Sequence, residues 1–194
     1  MTVTSPIGRR IHVTGTTSAG KSTLAGQLAE ALGVPAVELD ALNWLPGWVG
    51  LNETDPDEFM RRIHEATAGD GWVVAGSYSN FSERAFWDRL ETVVWLDLPK
   101  HVVLRRVIVR SWRRWRTQEL LWGTNYERFF PQLKFWQRDS LLWWAWTQHG
   151  PKRRAMLARM ADPRWAHIRF IRLTSAREVD GFRHAIIEAC ASDS

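Results

Sequence analysis

Residues 15–22, GTTSAGKS, constrain the fold of this chain more than any other segment. They fit the pattern G-x-x-x-x-G-K-[ST] at every fixed position. The glycines of such a loop let the backbone curl, so that several N–H groups and the start of the next helix face one anion. Residues 11–13 predict a strand before the loop, and leucines at helical spacing predict a helix that ends at Gly33. This context favours a phosphate-binding loop over a glycine-rich turn that binds nothing.

The rest of the chain alternates predicted strands and helices. Strands are predicted at residues 36–39, 72–75, 92–96 and 167–173, and helices at 56–68, 83–90, 100–116, 141–160 and 179–191. The helix at 141–160 is expected to break near Gly150 and Pro151. Alternation of this kind implies a parallel sheet covered on both faces. We expect one α/β domain over residues 1–194, with three layers, a five-stranded parallel sheet and a helical, Arg- and Trp-rich lid with an insertion at about 117–140.

Composition excludes several classes of protein. With 45% hydrophobic and 24% charged residues among 194, the chain has an ordinary globular composition and is neither disordered nor collagen-like. The single cysteine, Cys190, excludes an intrachain disulfide framework and a cysteine-rich zinc site, so cytoplasm is the expected compartment. Apolar runs are far shorter than the ~20 residues of a membrane span, so no membrane association is expected.

Several short segments resemble one family of enzymes. Beyond the loop and Thr23, they are ELDAL at 38–42, Trp44, PGW at 46–48, GSYS at 76–79 and VWLDLP at 94–99. Together they resemble the small P-loop kinases of the nucleoside monophosphate kinase-like group, and within it the bacterial adenylate kinase-related proteins called topology modulation proteins. The resemblance spans nearly the whole chain and implies a P-loop kinase fold, ATP and Mg²⁺ as cofactors, and phosphoryl transfer to a small molecule. The family usually has Asp just before the Gly of the third-strand turn, where this chain has Ala75.

The loop supplies the predicted nucleotide site. Lys21 is expected to reach the outer phosphates, and Ser22 to ligate Mg²⁺. The loop residues predicted to bind the nucleotide are Gly15, Thr16, Thr17, Ser18, Ala19, Gly20, Lys21, Ser22 and Thr23. Arg177 lies where relatives contact adenine and is expected to stack on the base, although a helix cap at Thr174 or Ser175 explains the same segment equally well.

Acidic residues at strand ends are the candidates for the metal and the acceptor, because ligands of open parallel sheets bind there. Glu38 and Asp40 point the same way if their strand continues, and the pair resembles the acidic D-x-D of shikimate and gluconate kinases. That resemblance implies that Asp40 orients or deprotonates an acceptor hydroxyl and that Glu38 supports Mg²⁺. Asp97 is a further metal candidate. Each carboxylate has a plain alternative, as a cap, a solvated charge or the end of a strand.

Four more residues are predicted to border the acceptor. Trp44 and Trp48 offer rigid aromatic faces that stack on flat or apolar ligands, although core packing explains them equally. Gly76 and Tyr78 offer backbone N–H and hydroxyl contacts, or form a plain strand-to-helix turn.

The acceptor itself stays open at the level of sequence. A nucleoside monophosphate would use Arg61 or Arg62, or Arg84, to bind its phosphate. A neutral hydroxylated metabolite would use Asp40 and the tryptophan-bearing loop instead.

Arginine dominates the basic residues. The chain has 26 Lys and Arg against 21 Asp and Glu, for a net charge of +5, and only four of the 26 are Lys. Residues 100–116 carry seven positive charges and no acid. In P-loop kinases of this kind, lid arginines neutralise charge on the transferring phosphoryl group. We assign this role to Arg110 and Arg114, with a solvated basic face as the alternative.

Tryptophans in the same region suggest a rival function. Seven of the 13 are Trp112, Trp115, Trp122, Trp136, Trp143, Trp144 and Trp146. Basic groups interleaved with aromatics also bind single-stranded nucleic acid, so a nucleotide-gated nucleic-acid-binding protein is the alternative. The last three tryptophans lie in an apolar helix and favour core packing or a homodimer face. Glu127 is a candidate partner for an arginine or a substrate amine.

Overall fold

The computed structural model describes residues 7–123, 125–126 and 140–192, and its elements alternate as the sequence predicts. In chain order they are β1 (Arg10–Gly15), α1 (Lys21–Leu32), β2 (Ala36–Glu38), α2 (Leu39–Asn43), β3 (Trp44–Leu45), β4 (Val49–Gly50), α3 (Leu51–Thr54), α4 (Pro56–Ala66), β5 (Trp72–Ala75), α5 (Ser79–Phe86), β6 (Thr92–Leu96), α6 (Lys100–Thr117), β7 (Leu120–Leu121), β8 (Asn125–Tyr126), α7 (Leu141–Met160), β9 (Arg169–Leu173) and α8 (Ala176–Ser192). Short 3-10 helices lie at Pro46–Trp48, Trp87–Arg89 and Pro163–Trp165.

Five of these strands form one parallel sheet in the order β2-β5-β1-β6-β9. The central strand β1 pairs with β5 on one side and with β6 on the other. Successive side chains point to opposite faces of the sheet, and both faces are apolar. Val73 packs with α1, α6 and α8 in one core cluster, while its neighbours Trp72 and Val74 pack with α4 and α5 in the other. The predicted three-layer α/β architecture is confirmed.

Two predictions about local structure are wrong, and one of them moves a site residue. Strand β2 ends at Glu38, and Asp40 lies in the first turn of α2, so these two carboxylates do not share a strand face. Leu39, the first residue of this helix, is fully buried and lies against Gly76, where an added Cβ would come within 2.6 Å of a Leu39 methyl carbon.

The other correction concerns α7, which continues through Gly150 and Pro151 without a break. Leu142 and Ala145 are buried in one core cluster and Met156 is buried in the other. Packing at both ends of the helix therefore offsets the backbone hydrogen bond that the proline removes.

The lid region is described in part. Helix α6 ends at Gln118, which takes a left-handed conformation, and β7 and β8 follow as an antiparallel hairpin. Of the sequence-based predictions, Glu127, Trp136 and most of the insertion expected at about 117–140 lie outside the described residues. Within the described ranges, no helix combines the length and the apolar character needed to span a bilayer.

Candidate active site

The predicted loop follows β1 at the carboxyl edge of the sheet. Gly15 has φ 150° and lies against β6, where an added Cβ would be 2.7 Å from the Leu96 carbonyl oxygen. Gly20, with φ 100°, precedes α1 without a side-chain cap, so the first N–H groups of the helix can donate hydrogen bonds to a ligand. Thr16 Oγ1 and Ser18 Oγ are buried and have no hydrogen-bond partner among the described residues. Backbone and hydroxyl donors thus converge on one point, as binding of phosphate oxygens requires.

Lys21, the first residue of α1, places its ammonium group at this loop. Its Nζ donates to the Thr16 carbonyl at 2.9 Å. Burial lowers the pKa of Lys21 to about 8, Asp40 opposes this shift, and Arg110 adds to it. The ammonium is therefore poorly solvated without a ligand, and a bound polyphosphate would compensate its charge.

Ser22 and Glu38, two predicted metal-binding residues, are in contact. Ser22 Oγ donates to Glu38 Oε1 at 2.5 Å, and Trp122 Nε1 lies 3.4 Å from the other carboxylate oxygen. A hydroxyl and a carboxylate beside a phosphate loop are the hard oxygen donors that Mg²⁺ prefers. Among the described residues, no three His, Cys, Asp or Glu side chains gather as a metal cluster. The residues present therefore fit a magnesium ion whose remaining ligands are phosphate oxygens and water.

Asp97, the third predicted metal residue, has a different environment. Its buried carboxylate accepts hydrogen bonds from Arg153 Nε at 3.0 Å and from Arg172 Nε at 2.9 Å. The Arg172 guanidinium also lies over the Trp95 ring, 5.0 Å from its centroid. The Asp97 carboxylate thus forms ion pairs with two guanidinium groups, whereas the sequence suggested a metal ion as its partner.

Asp40 meets Tyr78 across the site. The Tyr78 hydroxyl donates to Asp40 Oδ1 at 2.8 Å. Burial, followed by the negative charge of Asp40, raises the pKa of Tyr78 well above its ordinary value, so the phenol stays a donor at physiological pH. The Tyr78 ring packs edge-on against Phe59 at 5.1 Å between centroids. One oxygen of Asp40 is thereby held in place, and the carboxylate keeps a second oxygen for another donor.

Lys152 on α7 belongs to the same site, although the sequence analysis did not identify it. Its Nζ lies 4.1 Å from the centroid of the Trp144 ring and 3.5 Å from Ser77 Oγ. Burial, and after it the nearby positive charge of Lys21, lowers the pKa of Lys152 to about 8. Lys152 is one of only four lysines in the chain, which was a reason to consider it. The expected helix break near Pro151 prevented a prediction of where its side chain lies.

An open pocket lies next to Lys152, between the carboxyl ends of β1 and β6 and the α7 helix. Residues that line it include Thr16, Ser77, Asp97, His149 and Lys152. The His149 ring contacts the Leu98 carbonyl oxygen at 2.9 Å.

Two arginines of α6 reach the loop. Arg106 donates to the Ala19 carbonyl at 2.9 Å, and Arg110 donates to Thr17 Oγ1 at 3.3 Å. The side chain of Arg114, one turn further along the helix, forms an ion pair with Glu119 at 3.4 Å. The structure therefore places Arg110 at the loop, together with Arg106, one turn earlier in the helix, which the sequence analysis did not single out.

Solved structures share this architecture. A gluconokinase from Sinorhizobium meliloti 1021 has 20% identity and a TM-score of 0.50, with 96% of this chain and 93% of that chain covered. A shikimate kinase from Aquifex aeolicus vf5 has 15% identity and a TM-score of 0.54, with 95% and 97% covered. A sugar kinase from Janibacter sp. HTCC2649 has 17% identity and a TM-score of 0.50, with 96% and 98% covered. The fold is the P-loop kinase fold.

Sequence comparison gives less. No family model matches the chain. The uncharacterized protein YqaC of Bacillus subtilis strain 168 is 25% identical over 122 residues, which make up 62% of this chain and 66% of that protein.

The remaining predicted residues lie at the margins of the site. Trp44 packs edge-on against Trp48 at 5.6 Å between centroids, next to the lid hairpin. Arg84 and Arg177 are exposed. Ser175 Oγ accepts from the backbone N–H of Glu178 at 3.2 Å, so the capping alternative for that segment is present in the structure.

Two tryptophan rings of α7 are in contact with lysine ammonium groups. Trp144 lies under Lys152, and the exposed Trp146 lies under Lys100 Nζ at 4.2 Å from the ring centroid. Neither ring is buried in the core, which together with a homodimer face was the prediction for them, and the homodimer face stays a prediction.

Proposed function

We propose that this protein is an ATP-dependent phosphotransferase that moves the γ-phosphate of ATP to a hydroxyl group of a small-molecule acceptor. The observation that carries the proposal is the convergence of four features at one edge of the sheet. They are the donor-rich loop, the ammonium of Lys21, the Ser22–Glu38 oxygen pair and the Asp40 carboxylate. A loop that bound phosphate for structural reasons alone would need none of the last three.

The loop and its cations hold the phosphates. The N–H groups at the start of α1 bind the anion, while Lys21 and Arg110 bring positive charge to the same point. Ser22 and Glu38 would hold Mg²⁺, which when bound neutralises charge on the phosphates. These groups stay in place during the reaction, so their contribution is positioning and electrostatic stabilisation.

Asp40 would act on the acceptor. Its free oxygen accepts the proton of the acceptor hydroxyl while the oxygen of that hydroxyl forms a bond to the γ-phosphorus, and ADP leaves with the electrons of the broken P–O bond. Tyr78 holds the other carboxylate oxygen at 2.8 Å and so fixes the direction of the free one. Orientation of this kind is the main service that a carboxylate gives to phosphoryl transfer.

The contacts favour a hydroxylated acceptor that also carries an anionic group. Lys152 is poorly solvated beside Asp40, and no carboxylate lies within ion-pair distance of its Nζ in the described part of the chain. Two of the three arginines that a nucleoside monophosphate would use are engaged elsewhere: Arg61 pairs with Glu58 and Glu65, and Arg62 pairs with Glu58 at 2.7 Å, while Arg84 is exposed. The names gluconokinase, sugar kinase and shikimate kinase, borne by structures of the same fold, accord with a small-molecule acceptor.

The test is ATP consumption with Mg²⁺ against pooled hydroxylated acids, sugars, nucleosides and nucleoside monophosphates. We expect turnover that depends on an acceptor and is lost in Lys21→Ala. Lys100→Ala is the matched control, since this lysine starts α6 and contacts Trp146 outside the loop. Failure to bind ATP would overturn the proposal. Salt-sensitive binding of single-stranded DNA without turnover would favour the nucleic-acid alternative.

A further inference from the structure

Two hairpins from distant parts of the chain are joined beside the metal-binding pair. The first is β3–β4, residues 44–50, and the second is β7–β8, whose strands are residues 120–121 and 125–126. Asn125, which is 3% exposed, accepts from the Trp48 backbone N–H at 3.0 Å and donates to the Leu45 carbonyl at 3.0 Å. Trp48 Nε1 donates to the Tyr126 carbonyl at 3.2 Å. Three hydrogen bonds therefore connect the hairpins in both directions.

Aromatic packing continues this connection to Glu38. Trp48 lies edge-on to Trp122, with ring centroids 5.8 Å apart and planes at 84°. The indole N–H of Trp122 then donates to Glu38 Oε2, whose partner oxygen accepts from Ser22. Trp122 has φ 50°, a left-handed conformation that a bulky residue rarely adopts, and it is followed by Gly123 with φ 76°. A strained backbone thus directs this indole at the carboxylate.

We propose that Trp122 is a positioning residue that orients Glu38 for Mg²⁺, and that Asn125 holds Trp122 in place by joining the two hairpins. The inference rests on the proposed phosphotransferase function. A carboxylate that accepts one hydrogen bond at each oxygen has its plane fixed, so its oxygens are arranged before the metal arrives. Without the indole N–H, Glu38 keeps only its contact with Ser22 and can rotate about that bond. Outer-shell groups of this kind typically change metal affinity by about 10- to 100-fold.

The test measures how strongly Mg²⁺ increases the affinity for a nonhydrolysable ATP analogue, as the ratio of Kd values in EDTA and in Mg²⁺. Trp122→Phe keeps an aromatic ring against Trp48 and removes the N–H donor. We expect this ratio to fall about 3- to 10-fold, near the lower end of outer-shell effects because the bond is long, with the Kd in EDTA unchanged. Asn125→Ala should lower the ratio in the same direction.

Two matched controls separate positioning from general damage. Trp165→Phe removes a buried indole N–H that has no partner among the described residues, in the 3-10 helix before β9. Tyr126→Phe changes the side chain next to Asn125. Tyr126 contributes only its backbone carbonyl to the connection between the hairpins. Both should keep the wild-type ratio.

The outcomes distinguish the two proposals. If Mg²⁺ strengthens analogue binding to the wild-type protein but Trp122→Phe and Asn125→Ala give the same ratio as their controls, the positioning role is refuted. If Mg²⁺ does not affect binding to the wild-type protein, the proposed function fails and the positioning role fails with it.

Discussion

Replacement of Lys152 by Met should make the protein more stable and a poorer kinase. Burial and the charge of Lys21 lower the pKa of Lys152 from 10.5 to about 8. At neutral pH, keeping this ammonium charged in the folded protein therefore costs at most about 3 kcal/mol. Loss of its contact with the Trp144 ring removes about 1–2 kcal/mol of stabilisation in the variant. The net gain in the free energy of unfolding is about 1–2 kcal/mol, or a rise in Tm of about 2–8 °C.

The effect on activity runs the other way. If Lys152 binds an anionic group of the acceptor, its removal takes away a charge-assisted hydrogen bond worth about 1.5–3 kcal/mol. The KM for the acceptor should then rise about 10- to 150-fold, while the KM for ATP stays within about twofold.

The pH dependence gives a third measurement on the same variant. Between pH 8 and pH 10.5 the unfolded wild-type chain binds more protons at this lysine than the folded protein does, because the folded pKa is the lower one. Stability at this site therefore rises with pH across that window. Lys152→Met should show a shallower rise, with the part due to Lys21 remaining.

Chemical denaturation measures the free energy of unfolding of the variant, and steady-state kinetics measures its KM for the acceptor. Lys100→Met is the matched control, because Lys100 also lies over a tryptophan ring, at 4.2 Å from Trp146. If Lys152→Met is destabilised as Lys100→Met is, and keeps the wild-type KM for the acceptor, the reasoning about a buried, ligand-seeking cation is wrong.

Three further predictions concern other parts of the site and the core. Asp40→Asn should lower kcat by about 10²- to 10⁴-fold without a change in ATP affinity, and turnover at the full rate would remove the assigned base. Gly15→Ala should destabilise the protein by about 1–3 kcal/mol in urea unfolding, because the new Cβ would lie 2.7 Å from a backbone carbonyl oxygen. The control Gly26→Ala has open space around its new Cβ in α1 and should gain up to about 1 kcal/mol of stability, so equal effects of the two variants would contradict the clash. Burial lowers the pKa of His12 to about 4, so on acidification the unfolded chain binds a proton at this residue before the folded protein does, and stability should fall by up to about 3 kcal/mol between pH 7 and pH 4. His12→Gln should reduce this fall, and an unchanged pH dependence of stability in the variant would assign the fall to other groups.

Much of the fold could be predicted from the sequence because its signals are local. The loop pattern at residues 15–22 carries its own chemistry, and the alternation of buried strands with helices permits few arrangements other than a covered parallel sheet. In the structure Lys21 contacts the loop and Ser22 contacts Glu38; the loop pattern itself includes Lys21 and Ser22, whereas Glu38 was suggested by a resemblance, and the binding roles of all three stay predictions.

The acceptor end depended on contacts between residues far apart in the chain. Asp40 lies on a helix next to Leu39, which is buried against Gly76, 37 residues later, and no pattern around residue 40 reveals this contact. Lys152 reaches the site because α7 stays helical through Pro151, and this depends on packing at both of its ends.

Sequence alone therefore determined where the predicted phosphate-binding loop lies, since a glycine-rich loop and a helix N-terminus are contiguous in the chain. Tertiary structure alone decided which side chains lie near Asp40 and which arginines face the loop. Arg106, Arg110 and Arg114 share one side of α6, and only the packing of that helix beside the loop distinguishes the first two from the third. Helical periodicity groups residues by face, but the direction in which a face points is set by the elements packed against it.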